Sequence, residues 1–540
     1  MERRLTVHKK YLCIPVKTAG REEQHLETLE IFQDDNKIFE IRIPVDEQDE
    51  SGSYDYYAYV DVSQYHGRGL CLRGKIPFGL LERVAQRDEG ERDHVSCPRP
   101  VLHFTSGTGW INDPNGLICE NGRWQLYFQH NPFNTEWENL CWGSAVSEDP
   151  VNWRQRDVAL WPDETGTMFS GCGIVNERGL LGLPKDALLY FYTAAGDCSD
   201  WSKGKMFTQH LAYSLDGGET LTKWGQVIAP LGKDSRDPKV FWHEETQSYV
   251  MVLWLVGNRF LVLRSGDLEH WKQTQDIELP DAWECPDLFE LEDDGGEKHW
   301  VFWCADGYYY IGDFDGYEFS VRQGKREAYG TKLPYAAQTW SGTGKRVISL
   351  AWLRTANEGK LYTGMMAIPR ELSLVRRGGE LAMKLSLPEE IAGRFCPVPE
   401  QALVPQSAAD EAAKNLPADV KRLTYRGEKE TPVIFKFSWP GASLAPVSLE
   451  MEGISLKAEP ENGRIYLGDT VYEAGEKLFD LCVIRDEGVI EITANDDIIY
   501  LTVEISGYDL GSPVEITAGA EVSLSAGRYV PCGGHEGKAS

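Results

Sequence analysis

Between residues 147 and 319 the chain returns several times to one short pattern: an apolar run, a Ser-x-Asp turn, then an aromatic residue. The copies are SEDPVNW (Ser147–Trp153), SLDGGETLTKW (Ser214–Trp224) and SGDLEHW (Ser265–Trp271), with a degenerate IGDFDGYEF at Ile311–Phe319. Their spacing, roughly 50–65 residues, is too long for the small solenoid repeats and suits four-stranded propeller blades. In that reading each Asp closes a hairpin turn and each aromatic packs between neighbouring blades. The competing reading is a set of unrelated Asp-aromatic hairpins, which any β protein can contain. Composition agrees with short strands in either case: 17 Trp, 24 Tyr, 53 Gly and 27 Pro in 540 residues.

The regions on either side are also strand-like. Residues 1–90 alternate apolar and polar positions in Lys10–Val16, Leu26–Phe32, Lys37–Val45 and Tyr54–Val62, which predicts a small N-terminal β domain. A charged stretch, Gln86–His94, reads as its linker. A polar, Ala-rich stretch, Ser407–Arg422, reads as a connector or short helix, and alternating strands follow it to the C-terminus, as in a β-sandwich. The expected division is therefore 1–90, 98–395 and 420–535.

Charge and cysteines narrow the partners. Lys+Arg 55 against Asp+Glu 84 leaves a net charge of −29, which repels phosphate backbones and anionic lipid. Neither nucleic acid nor membrane is expected as a partner; a neutral substrate is. The start, MERRLTVHKKYLCI, places charge where a secretory signal needs an apolar core. The 12 Cys contain no CxxC pair, which argues against a zinc ribbon or redox dithiol and for reduced thiols in a cytoplasmic protein. No HExxH occurs and SGTGKR is too short for a phosphate loop, so neither metal nor cofactor is expected. Oligomeric state is not readable, and a homo-oligomer stays open.

Three acids sit in rigid contexts. Asp113 lies in GWINDPNGL, before a Pro and a tight-turn Asn-Gly. Asp237 lies in KDSRDPKVFW, next to Arg236 and again before a Pro. Glu284 lies in DAWECPDLFEL between Trp283 and Cys285. An acid-Pro pair at the start of an apolar strand holds a carboxylate still, and blade starts converge on a common axis. Two carboxylates across a glycosidic bond are the minimum for its hydrolysis, and a third can offset oxocarbenium charge. With 84 acids, each motif alone reads equally as an Asx turn.

Taken in order, RPVLHFTSGTGWINDPNGL, SRDP and WECPD resemble the three signatures of glycoside hydrolase family 32, the β-fructofuranosidases. YFQHNP, CWGSAVSEDPVNW, FSGC, YAAQTW and GMMAIPREL add to the likeness, which runs over roughly residues 98–530. RDEGVIEITAND resembles that family's C-terminal sandwich, and residues 10–62 resemble, more weakly, an N-terminal module of levanase-like members. The resemblance implies an all-β chain: a five-bladed β-propeller followed by a C-terminal β-sandwich, with the small N-terminal β domain in front. It implies a retaining hydrolase acting on terminal β-fructosyl residues of sucrose, fructo-oligosaccharides or fructans, with no cofactor. Asp113 would be the nucleophile, Glu284 the acid/base and Asp237 the transition-state stabiliser. Arg236 would bind fructose hydroxyls, and Asn112, Gln129, Trp137, Ser170 and Tyr335 would shape the terminal fructose pocket.

Two departures bear on substrate preference. Ser144 stands where many relatives carry His, and YGTKLPYAAQTW lacks the acidic-aromatic pair usual before its Tyr-Ala. A fructosyltransferase with the same three acids, and a non-catalytic fructan-binding propeller, remain as alternatives. Arabinanase-type propellers also use three carboxylates but lack the WINDPNG and ECP pairing.

Overall fold

The computed structural model describes residues 1–18, 25–46, 52–90, 99–357, 359–398, 402–405, 420–427, 431–441, 444–451, 453–505 and 511–531. Five antiparallel sheets follow one another along the middle of the chain. Their first strands are Gly109–Glu120, Thr167–Val175, Arg236–His243, Asp287–Glu292 and Pro334–Thr339. Each sheet then steps outward strand by strand, as in Thr167–Val175, Leu188–Ala195, Thr208–Ser214 and Thr222–Ile228. Burial falls along that path. LLYFYTAA (Leu188–Ala195) is buried at every position, whereas TKWGQVI at the edge is largely open. The result is a five-bladed propeller.

Blade 5 is stitched back to blade 1. Tyr362–Thr363 runs parallel to the start of Gly109–Glu120, and Ser341 exchanges backbone hydrogen bonds with Cys119 (2.8 Å) and Leu117 (3.0 Å). Across blades 3 to 5 the tie is polar. Lys239 reaches Asp287 at 2.8 Å and the Thr339 carbonyl at 2.7 Å, and Thr339 donates to Asp287 through both its amide and its hydroxyl at 2.8 Å.

The recurrent Ser-x-Asp segments fall at the turn from third to fourth strand in blades 1 to 4. In each, one carboxylate oxygen accepts two backbone N–H groups downstream: Asp149 from Val151 and Asn152, Asp216 from Glu219 and Thr220, Asp267 from Glu269 and His270, Asp315 from Tyr317 and Glu318. These are Asx-type turns that satisfy the tight end of the hairpin. The aromatics are less uniform. Trp153 stacks on Trp340 of blade 5 and Trp271 meets Phe191 of blade 2, as expected of inter-blade packing. Trp224 instead packs on Tyr213 of its own blade, and Phe319 on Phe302 of its own.

Downstream, two sheets of six and seven strands face each other over a core that includes Phe435, Leu449, Val483, Ile492 and Ile516. Phe395–Pro397 and Leu403–Pro405 edge these sheets from upstream of residue 420. The polar stretch 407–422 lies outside the described residues up to 419, as does 91–94 of the linker. The sandwich is locked to the propeller by charge. Asp486 accepts the backbone N–H groups of Val101, Leu102 and His103, and His103 bridges Asp486 (2.9 Å) and Glu491 (3.2 Å). Glu491 also pairs with Arg370.

At the N-terminus a four-stranded and a three-stranded sheet enclose a core of Leu12, Ile14, Ile31, Val60 and Leu72. Tyr56 is buried there, and Tyr57 and Tyr59 border a small cavity against the propeller. Among the described residues no helix is long and apolar enough to cross a membrane.

Candidate active site

The sequence around each acid explains why it leaves the sheet. A strand pairs every residue with its neighbour unless an extra residue is inserted, and a bulge re-aims the side chain. The first strands of blades 1, 2, 3 and 5 all break register near their start: between Ile111 and Pro114, Phe169 and Gly171, Arg236 and Lys239, and Tyr335 and Gln338. Asp113, Ser170, Asp237 and Ala336 occupy these breaks. Prolines at 114 and 238 follow the two acids, where an N–H is not needed for the ladder. In blade 4, Glu284 and Cys285 sit just ahead of Asp287–Glu292. Asp237, Cys285 and Ala336 all adopt left-handed backbone, with φ of 62°, 45° and 51°. Such a conformation is costly for a β-carbon-bearing residue and concentrates where function constrains the chain.

The bulges deliver these side chains to one place. Ser170 donates to Asp113 Oδ2 at 2.6 Å, and Asn112 Nδ2 lies 3.0 Å from Asp113 Oδ1. The Cys285 thiol is 3.6 Å from Asp113 Oδ2 and 3.5 Å from Asp237 Oδ2, and the Cys285 amide donates to the same Asp237 oxygen at 3.1 Å. Arg236 lies 3.7 Å from Asp237 and 2.5 Å from Glu284 Oε2, while Tyr335 donates to Glu284 Oε1 at 2.6 Å. Carboxylates from blades 1, 3 and 4 therefore share one cluster with a single arginine.

Gln129 lies opposite the bulge, where Ile111 pairs with His130 and Pro114 with Phe128. It is buried, and neither end of its amide has a protein partner. An unpaired buried amide is costly, and here it stands beside the acids. Trp137 packs edge-on to Phe169, next to Ser170, and is 46% exposed; Trp283 beside Glu284 is 43% exposed. All nine expected residues thus belong to one region. Ser144 is elsewhere, its hydroxyl accepting Arg156 Nε within blade 1.

Electrostatics follow from this crowding. Burial raises the Asp113 carboxyl above its ordinary value, opposed by the Ser170 hydrogen bond, and Glu284 adds to the rise. Burial also pushes Asp237 up, to about 7; Arg236 opposes it, and the charges of Glu284 and Asp113 reinforce it. The Cys285 thiol is driven far up by burial and by the two Asp carboxylates it touches, so it acts as a neutral donor rather than a thiolate.

Several contributors escape a reading of the sequence. Trp254, from the second strand of blade 3, lies under the Arg236 guanidinium at 4.0 Å from its ring centre and packs on Trp283. Thr193 accepts the Asp237 amide at 3.2 Å, and Arg354 covers the Tyr335 ring at 4.5 Å. Cys285 alone had a signal, its place within ECP.

Residues 103–384, just over half of the chain, match the glycosyl hydrolases family 32 N-terminal domain. A levanase of Bacillus subtilis is 36% identical over 311 residues, covering 51% of this chain and 45% of that protein. An invertase of Debaryomyces hansenii is 35% identical over 303 residues, 51% of this chain and 55% of its own. The chain thus spans about half the length of these relatives. Among solved structures, the exo-inulinase of Aspergillus awamori superposes with a TM-score of 0.69 at 22% identity, over 81% of this chain and 99% of that one. A glycoside hydrolase family 32 structure from Bifidobacterium adolescentis superposes with a TM-score of 0.65 at 18% identity, over 97% of this chain and 99% of that one, so its likeness in fold takes in the N-terminal domain. Matched domain, ordered acid motifs and propeller-plus-sandwich fold agree: the chain belongs to glycosyl hydrolase family 32.

Proposed function

We propose that the protein is a retaining β-fructofuranosidase that releases terminal fructosyl units from sucrose, fructo-oligosaccharides or fructans. The observation that carries this reading is the meeting of Asp113, Asp237 and Glu284 around Arg236, with the unpaired amide of Gln129 alongside. Asp113 is held by Ser170 and Asn112 so that its carboxylate faces the pocket as nucleophile toward the anomeric carbon. Glu284 gives its proton to the departing oxygen and later takes one from the attacking water. Asp237 places negative charge where the tertiary fructosyl cation develops, in a site whose burial strengthens that interaction. Arg236 and Gln129 supply donors and acceptors for sugar hydroxyls. Arg236 and Tyr335 each hold one oxygen of Glu284 and so fix the orientation of that carboxyl beside the sugar.

Exposed indoles at 137 and 283 around a buried group of acids favour a pocket that takes a chain end, hence exo action. The test is the purified full-length protein with sucrose, inulin and levan, products resolved by length. Free fructose from the first minutes is the expected result. Early oligosaccharides without fructose would overturn exo action, and fructosyl transfer products at low sucrose would overturn hydrolysis as the main reaction. We also assign the protein to a reducing, cytoplasmic compartment, supported by ten free cysteines among the described residues.

A further inference from the structure

The loop of residues 132–140, between the second and third strands of blade 1, carries Trp137 and is not held by the propeller alone. Phe133 at its start is 1% exposed and packs into the core of the N-terminal domain. Trp161 covers that joint, with ring centres 6.0 Å from Phe133 and 5.6 Å from Phe39. At the other end, Asn139 Oδ1 accepts the Arg42 amide at 2.7 Å and Asn139 Nδ2 donates to the Arg42 carbonyl at 2.8 Å. One side-chain amide here imitates the reciprocal pair of a β-bridge, joining the loop to the strand Asn36–Val45. The Arg42 guanidinium reaches Glu138 at 3.0 Å.

Asn131 secures the loop from within. It donates to the Glu136 carbonyl at 2.8 Å, and its Oδ1 accepts Phe133 N–H at 3.0 Å and Asn139 Nδ2 at 3.1 Å. Both backbone neighbours of Trp137 are therefore fixed while its indole stays open to solvent. Asn139 has φ of 48°, a conformation that Asn tolerates better than most residues.

We propose that the Arg42–Asn139 pairing is a clamp through which the N-terminal domain positions Trp137 at the mouth of the fructosyl pocket, so that residues 1–90 form part of the substrate-binding unit. The proposal rests on the fructosidase reading above. A sugar that packs on an indole must order it, and a loop already fixed on both sides lowers that entropic cost. Such a contact acts on bound substrate and transition state alike, so loosening it raises KM and leaves kcat in place.

The test uses full-length variants with sucrose. Asn139→Gly removes both hydrogen bonds to Arg42, and the one to Asn131, while accommodating the left-handed backbone; Asn139→Asp keeps the acceptor for the Arg42 amide. Asn139→Gly should raise KM about fivefold, the equivalent of one lost hydrogen bond, with kcat within about twofold. Asn139→Asp should fall between it and wild type. Trp137→Ala should raise KM at least as much, and adding Asn139→Gly to it should bring no further rise, because the clamp acts through the indole. A KM unchanged in Asn139→Gly, or a rise of equal size with and without Trp137, would overturn the proposal. Absence of fructose release by the wild-type protein in the same assay would remove the fructosidase reading, and this proposal with it.

Discussion

Arg236 Nη2 stands 2.5 Å from Glu284 Oε2, and its guanidinium lies 4.0 Å from the centre of the Trp254 ring. The arginine is thus held by a face and an edge at once: stacked on an indole, and paired to the carboxylate proposed as acid/base. Lysine can form the pair but cannot also present a planar fork above the ring.

Arg236→Lys should therefore lower kcat/KM about 10- to 100-fold, the range for losing a hydrogen bond to a charged group. Arg236→Ala should do more, and should change the pH profile. Arg236 opposes the rise of the Asp237 carboxyl, so without it that group titrates higher. The acidic limb of kcat/KM should move to higher pH, measured with sucrose across pH 4–8. An unmoved limb would mean that Asp237 does not govern it.

Asp113→Asn and Glu284→Gln should each leave a folded protein without useful activity. Losing the proton donor should cost about 10²- to 10⁴-fold in kcat, and losing the nucleophile at least as much. Circular dichroism and fructose release, measured on the same preparations, check this. Activity within about tenfold of wild type in folded Asp113→Asn would remove it as nucleophile.

Asp237→Asn should be inactive yet more stable. Burial and like charge lift its folded-state value from 3.8 to about 7. Between those values the folded protein holds the extra proton, so its stability falls as pH rises, and the full cost is present above about pH 7. Removing the charge should return on the order of 1–2 kcal/mol at pH 8, a melting point a few degrees higher. The difference should vanish near pH 4, where wild-type Asp237 is already neutral. Scanning calorimetry of both proteins at the two pH values decides it.

The propeller–sandwich joint should have its own pH signature. His103, between Asp486 and Glu491, has its value raised to about 9: burial opposes the charge, but the two carboxylates outweigh it. Its stabilising contribution is complete below pH 6.5 and lost as pH rises through about 9. Glu491 is lowered to about 2, against its own burial, by Arg370 and His103, so its contribution is present above about pH 4.5 and lost as pH falls through 2. Thermal scans should show the joint weakening between pH 7 and 10, and less so in His103→Gln. Glu491→Ala, which leaves Arg370 and His103 buried without their partner, should cost about 3–5 kcal/mol.

Neighbours along the chain encode the turns and the bulges. The turns at Asp149, Asp216 and Asp267 close within two to four residues, so a Ser-x-Asp pattern announces them, and Asp315 closes the degenerate copy in the same way. The acid-Pro pairs at 113 and 237 carry their bulges in the same local way, and the ordered motifs named the family. Contacts between distant segments are a different matter. The meeting of Asp113 with Asp237, Phe133 inside the N-terminal domain and Asp486 on His103 have no local signal, because each contact exists only once separate sheets have packed. The same holds for exposure: Trp153 and Trp224 end equivalent turns, yet one is covered by blade 5 and the other faces water. Local hydrogen bonding is written in adjacent residues, whereas burial is settled by whatever the rest of the chain brings against a side chain.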